Sequence, residues 1–291
     1  MTLDREPCRR ITTRGGTIAV TVTGNGPPLL LLHGFPQTRL MWGKVAPGLS
    51  EKHTLVVPDL PGYGDSDAPA SVAGASKRTM AASLVEMMEA LGYGTFDLAG
   101  HDRGGRVAYR MALDHPERVS RLAVLDILPT ADYWAKMDRA FAVKIYHWTL
   151  LAQPSPLPET LIGGAPDFWL DWTLKSWTLG DSLDCFDPVA MAQYRRNFHD
   201  PTRLKAMCDD YRAGATVDTE HDLASQAAGD RITVPTLALW GAAGIAASAE
   251  TPLDVWGRWC TDLRGEAIRS GHFLPEENPA ETGAALARFF E

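Results

Sequence analysis

Residues 29–32 are four leucines in a row, set between Gly24-Asn25-Gly26-Pro27-Pro28 and His33-Gly34. So short an apolar run, bounded by turn residues, suits a strand buried on both faces, and such strands belong to parallel sheets covered on each side. The rest of the chain conforms. Residues 54–57, 96–99, 122–125 and 236–240 read as further strands, and 267–269 as a short one. Between them, 78–91 sets Met80, Leu84, Met87, Met88 and Leu91 at helical spacing, and 104–113, 253–260 and 279–290 also read as helices. This alternation predicts an α/β fold, with a mostly parallel sheet and helices on both faces. Upstream, Ile11-Thr12-Thr13 and residues 17–23 flank Gly15-Gly16 and predict a hairpin.

One long interruption breaks the pattern, from about Pro129 to about Gly229. It holds Trp134, Trp148, Trp169, Trp172 and Trp177, five of the chain's 9 tryptophans, with prolines at 154, 156, 158 and 166. A flexible linker lacks this much aromatic area. The stretch is expected to be an inserted helical cap, residues 129–229, over a core made of residues 1–128 and 230–291. Pockets commonly form between such layers.

Composition narrows the partners. The 36 acidic and 28 basic residues give a formal net charge of −8, which disfavours a nucleic-acid backbone or an anionic membrane as the main partner. It does not bar a small anion, which needs only one or two local cations. Cys8, Cys185, Cys208 and Cys260 include no Cys-x-x-Cys pair, so neither a zinc knuckle nor a disulfide framework is expected. The start, Met1-Thr2-Leu3-Asp4-Arg5-Glu6, lacks the apolar core of a signal peptide, and no run approaches the ~20 residues of a membrane span. A soluble, cytoplasmic protein is the expectation.

The chemistry centres on Gly100-His101-Asp102-Arg103-Gly104-Gly105, which follows a strand and opens a helix. Gly-x-nucleophile-x-Gly in that setting is a nucleophile elbow, here with Asp where Ser is commoner. Taken alone, a glycine-flanked Asp at that place is a helix N-cap. Two other segments supply context. His33-Gly34-Phe35-Pro36 follows a buried strand and suits an oxyanion loop, whose backbone N–H groups face developing charge. Ser270-Gly271-His272-Phe273 follows the last strand, where a general base belongs. The base needs an orienting acid, but Trp240-Gly241-Ala242-Ala243-Gly244 offers none. Asp126, flanked by Leu125 and Ile127 at a strand end, would be costly to bury without a partner and is the candidate. Arg103 and Arg106 open the elbow helix, where the dipole disfavours cations. Their planar guanidinium groups beside Asp102 suit a bound carboxylate, pairing with neighbouring acids being the competing explanation.

These segments together resemble the Asp-nucleophile branch of the α/β-hydrolase superfamily, which contains haloalkane dehalogenases, epoxide hydrolases and fluoroacetate dehalogenases. The resemblance spans nearly the whole chain. Haloalkane dehalogenases typically carry Trp after the nucleophile, and Arg103 departs from that. Asp102-Arg103 with Arg106, Tyr146-His147-Trp148, Asp210-Tyr211-Arg212, residues 240–246 and residues 270–277 instead resemble the fluoroacetate dehalogenase (haloacetate dehalogenase) family. That resemblance implies Asp102, His272 and Asp126 as catalytic residues and Arg103 and Arg106 for the substrate carboxylate. It implies His147, Trp148 and Tyr211 for the halide, with the backbone N–H groups of Phe35 and Arg103 for the oxyanion. It further implies a small haloacid substrate, no metal or organic cofactor, and a homodimer. Without it, His147 and Trp148 would read as ordinary cap packing. Two rivals stand. An epoxide hydrolase would share Asp102, Asp126 and His272 and use two tyrosines among Tyr146, Tyr194 and Tyr211. A silent hydrolase fold would bind ligand without turnover.

Overall fold

The computed structural model describes residues 3–244 and 251–291. Eight strands form one sheet: β1 (Cys8–Thr13), β2 (Gly16–Gly24), β3 (Pro28–Leu32), β4 (Thr54–Pro58), β5 (Phe96–His101), β6 (Val119–Leu125), β7 (Thr236–Gly241) and β8 (Leu263–Ile268). Their order is β1-β2-β4-β3-β5-β6-β7-β8. The hairpin β1–β2 is antiparallel and joins β4 antiparallel, and every pair from β4 to β8 is parallel.

The four-leucine strand shows why the sheet is covered twice. Leu29 and Leu31 point into one apolar layer, with Leu55, Ala123, Leu239 and Phe290. Leu30 and Leu32 point into the other, with Val56, Leu98 and Val124. Side chains alternate along a strand, so an unbroken apolar run must meet apolar neighbours on both faces.

The helices Lys77–Ala90, Asp102–Asp114, Pro252–Trp259 and Pro279–Phe290 match the helical readings closely. Several bounds move, with β1 starting at Cys8 rather than 11 and β6 at Val119 rather than 122. The elbow helix begins at Asp102, because the Gly104-Gly105 pair disguises its first turn. Strand β8 starts at Leu263 rather than 267; it lies at the sheet edge with Arg264 and Glu266 exposed, so only its apolar end at Ala267 and Ile268 carries a strand's signal. Residues 245 and 246, part of the family-like stretch after β7, lie outside the described residues.

Between β6 and β7 the chain is helical, from Thr130–Ala135 to Val217–Ala228. Several of these helices open on proline, which tolerates the first turn because its missing N–H has no acceptor there. Leu151, Ile162, Leu170 and Phe198 of this segment join the same apolar layer as Leu30 and Leu32, so helices and sheet face share one core. All four cysteines are free. Among the described residues no helix is long and apolar enough to cross a membrane.

Candidate active site

Parallel pairing sets the C-terminal ends of β5 and β6 side by side, with His101 opposite Leu125 and Leu125 opposite Leu239. The next residue on each of β5 and β6 is an aspartate in the left-handed region, Asp102 at φ 44 and Asp126 at φ 50. That conformation costs a non-glycine residue on the order of 1–3 kcal/mol, and it persists where the surroundings over-determine it. Close packing does so at the elbow. A Cβ on Gly104 would fall on the carbonyl of His33 and lie 2.6 Å from the carbonyl carbon of Leu32, so only glycine lets the elbow helix sit against β3.

The His33–Pro36 loop lies against this elbow. His33 Nε2 accepts from the Leu60 N–H at 2.9 Å, which makes His33 a loop anchor. The Phe35 N–H donates to Asp102 Oδ2 at 3.2 Å. The Arg103 N–H lies in the helix's first turn, where no intrahelical acceptor exists. Burial alone would raise the Asp102 carboxyl, but His272, Arg103, Arg106 and His101 outweigh it and hold it below the usual carboxylate value. Asp102 is therefore an ionised carboxylate, with Oδ2 held by the Phe35 N–H.

His272 Nδ1 donates to Asp126 Oδ2 at 2.5 Å. Asp126 Oδ1 accepts from the Gly241 N–H at 3.0 Å, and a Cβ on Gly244 would fall on that same oxygen. The bare stretch after β7 is thus the seat of a carboxylate supplied by β6. Burial pulls His272 down, but its bond to Asp126 and the charges of Asp126 and Asp102 lift it above the ordinary imidazole value. His101 Nε2 donates to the His272 carbonyl at 2.8 Å, and burial together with His272 lowers His101 to about 4, so its ring is neutral.

The two arginines are buried and partly engaged. Arg103 donates through Nε and Nη2 to the Asp210 carboxylate at 3.0 and 2.7 Å, while Nη1 has no partner. Arg106 Nη1 donates to the Leu128 carbonyl at 2.9 Å and to Thr130 Oγ1 at 3.2 Å, while Nε has no partner. Pairing with a protein acid, the competing explanation, thus holds for one edge of Arg103. Aromatic faces complete the enclosure. The Arg103 guanidinium lies 4.3 Å from the Tyr211 ring centre, and Arg106 lies 4.4 Å from that of Trp148.

His147, Trp148 and Tyr211 come together. The Tyr211 ring meets those of His147 and Trp148 nearly at right angles, with centres 5.7 and 5.8 Å apart. Tyr211 Oη and His147 Nδ1 are buried without a partner, and burial holds His147 well below its usual value, hence neutral. Of the other tyrosines weighed, Tyr194 donates to Glu276 at 3.1 Å and Tyr146 lies 3.4 Å from Thr173 Oγ1. Among the described residues no group of three or more His, Cys, Asp or Glu is arranged to hold a metal ion.

Three residues near the site were not read from the sequence. In the sequence Asp210 is marked only by its neighbour Tyr211. Trp177 reads as one cap tryptophan among several, yet its ring lies 4.3 Å from His147 and 5.5 Å from His272. His101 reads only as part of the elbow. Its place next to Asp102 was the one signal available.

An ionised aspartate on an elbow, a histidine–aspartate pair at the neighbouring strand ends and a helical roof define an α/β hydrolase. The chain belongs to that family: the model of the alpha/beta hydrolase fold matches residues 27–279. A fluoroacetate dehalogenase from Burkholderia sp is 42% identical over 94% of this chain and 90% of its own length, which places the chain with haloacetate dehalogenase-like members. A soluble epoxide hydrolase from Corynebacterium sp. (strain C12) is 34% identical over 92% of this chain and 91% of its own. A solved structure from Nostoc sp PCC 7120 superposes with a TM-score of 0.95 at 45% identity, covering 99% of each chain.

Proposed function

We propose that the protein is a hydrolytic dehalogenase that converts a haloacetate, fluoroacetate foremost, to glycolate and halide through a covalent ester on Asp102. One observation carries this reading: two buried arginines beside the ionised Asp102 each keep an unpartnered N–H. A buried cationic donor without an acceptor is costly, and a small carboxylate would satisfy both. Residues 129–229 act as the cap that closes over that acid.

With its carboxylate between Arg103 and Arg106, the substrate turns its α-carbon to Asp102. Asp102 Oδ1 attacks that carbon as the carbon–halogen bond breaks, and the bonding pair leaves with the halide. Fluoride is a small, hard, poor leaving group, and donors from His147, Trp148 and Tyr211 would stabilise it as charge develops. His272, oriented by Asp126, then takes a proton from water while the oxygen attacks the Asp102 ester carbonyl. The oxyanion forms on Oδ2, where the Phe35 N–H already sits. Collapse expels the glycolate oxygen, which takes the proton from His272, and Asp102 releases its own proton to solvent. The reaction's balance is one water consumed and one halide and one proton released.

The test is fluoride release from fluoroacetate, with Asp102→Ala in parallel. Release lost in the variant supports both reaction and nucleophile, while turnover of chloroacetate alone keeps the mechanism and moves the halide. In a single turnover in heavy-oxygen water the label should enter Asp102, and label in the first product would end the ester route. Hydrolysis of a neutral epoxide without haloacid turnover would establish the rival instead. Against that rival, only Tyr211 of the three tyrosines weighed keeps an unpartnered hydroxyl.

A further inference from the structure

The fully buried Arg103 spends three hydrogen bonds on one residue. Nε and Nη2 reach the Asp210 carboxylate, and Nη2 also reaches the Asp210 carbonyl at 2.8 Å. Asp210 is fixed from its far side as well: Tyr63 Oη donates to Oδ2 at 2.6 Å, and the Lys77 ammonium donates to Oδ1. Lys77 is shared with Asp218 at 3.2 Å, so the buried charges of these four residues balance. Asp210 also precedes Tyr211, whose ring lies against the face of the same guanidinium. Adjacent residues of one helix, Pro201–Ala215, thus grip Arg103 by an edge and by a face.

That grip decides what Arg103 can offer. A free guanidinium presents a two-pronged edge to an oxyanion. Here the Nε–Nη2 edge is consumed, and Nη1 alone is left. Arg106 spends Nη1 on Leu128 and Thr130 and keeps a buried, unpartnered Nε. The anion site is then a single N–H of Arg103 beside the free Nε of Arg106.

We propose that Asp210 is a positioning residue that sets selectivity for carboxylates by locking Arg103 so that only Nη1 faces the substrate. This rests on the reading that Arg103 and Arg106 hold the substrate's carboxylate. Asp210 touches no reacting atom and acts through Arg103.

The test measures KM and kcat for a haloacetate, and the inhibition constant of acetate, an unreactive carboxylate. The proteins compared are the wild type, Asp210→Asn, Arg103→Lys and the double variant. Asp210→Asn keeps the shape and loses the charge-assisted bonds. It should raise KM and the acetate constant about tenfold or more, with kcat changed far less. The double variant should be no worse than Arg103→Lys, because residues acting through one another are not additive. Tyr63→Phe removes one donor to Asp210 and no charge, so it should move both constants the same way by a smaller factor even if Asp210→Asn fails to fold. Multiplying effects in the double variant, or acetate affinity untouched in Asp210→Asn and Tyr63→Phe, would overturn the inference alone. Failure of acetate to bind the wild type would remove the carboxylate reading, and the inference with it.

Discussion

Glu276 offers a sharp test of how the loops around the site are held. It lies four residues beyond His272, in the short helix Leu274–Glu277, and is buried. Gln37 Nε2 donates to one carboxyl oxygen and Tyr194 Oη to the other, at 3.1 Å. One side chain therefore ties the His272 segment to the loop that follows β3 and to the helix Pro188–His199. Among the described residues no cation meets the carboxyl itself; Lys44 reaches only the Glu276 carbonyl, at 3.3 Å. Burial therefore pushes the acid from 4.5 to about 8, with the bonds from Gln37 and Tyr194 and the charge of Lys44 opposing and that of Asp187 adding.

A group that holds its proton more tightly when folded stabilises the fold fully below its unfolded value. That stability is lost as pH rises from near 4.5 and levels off only beyond about 8. At about 1.4 kcal/mol per pH unit the whole window is worth at most about 5 kcal/mol. The perturbation is Glu276→Gln, which keeps the shape and cannot ionise. Urea unfolding of both proteins at intervals from pH 5 to pH 9 isolates this group, because every other titration is common to the two. The variant should gain on the wild type by up to about 1.4 kcal/mol per unit to pH 8 and then hold level. A difference that stays flat across the range would refute the reasoning, showing that the carboxyl ionises near its ordinary value.

Other expectations follow from the same geometry. Asp126→Asn keeps an oxygen for the Gly241 N–H but turns an NH2 toward His272 Nδ1, which imposes the wrong tautomer and should slow steady-state turnover about ten-thousandfold, while a first-turnover halide burst survives; loss of the burst as well would contradict the division of labour. The hydrolytic step needs neutral His272, which the bond to Asp126 and the Asp126 charge lift above its ordinary value against the pull of burial, and both persist once Asp102 is an uncharged ester. Its rate should therefore rise with pH and level off only above 6.5, and a limb centred below that in pre-steady-state measurements would disprove the assignment. Gly104→Ala drives a methyl into the backbone of His33 and Leu32 and should cost roughly 3 kcal/mol or more, read as a lowered melting temperature; an unshifted melting curve would show that the elbow can relax.

What the sequence discloses and what it hides divide along a physical line. Asp102, His272 and Asp126 are legible because strand ends locate them, and strand ends follow from local apolar runs and glycines. Even the missing carboxylate after β7 carries information, since Gly241 and Gly244 leave the N–H and the space that Asp126 fills from the neighbouring strand. Strand β8 is half hidden because an edge strand has no need of an unbroken apolar run. Asp210 is hidden altogether. An acid beside a tyrosine on a helix reads as a solvated face, and its partner Arg103 lies 107 residues away along the chain. Glu276 is hidden for the same reason, its partner Gln37 being 239 residues distant. Local chemistry announces the groups proposed to react. The groups that aim them gain meaning only from contacts the fold creates, and a buried acid with two or three donors on it is where such contacts are to be sought.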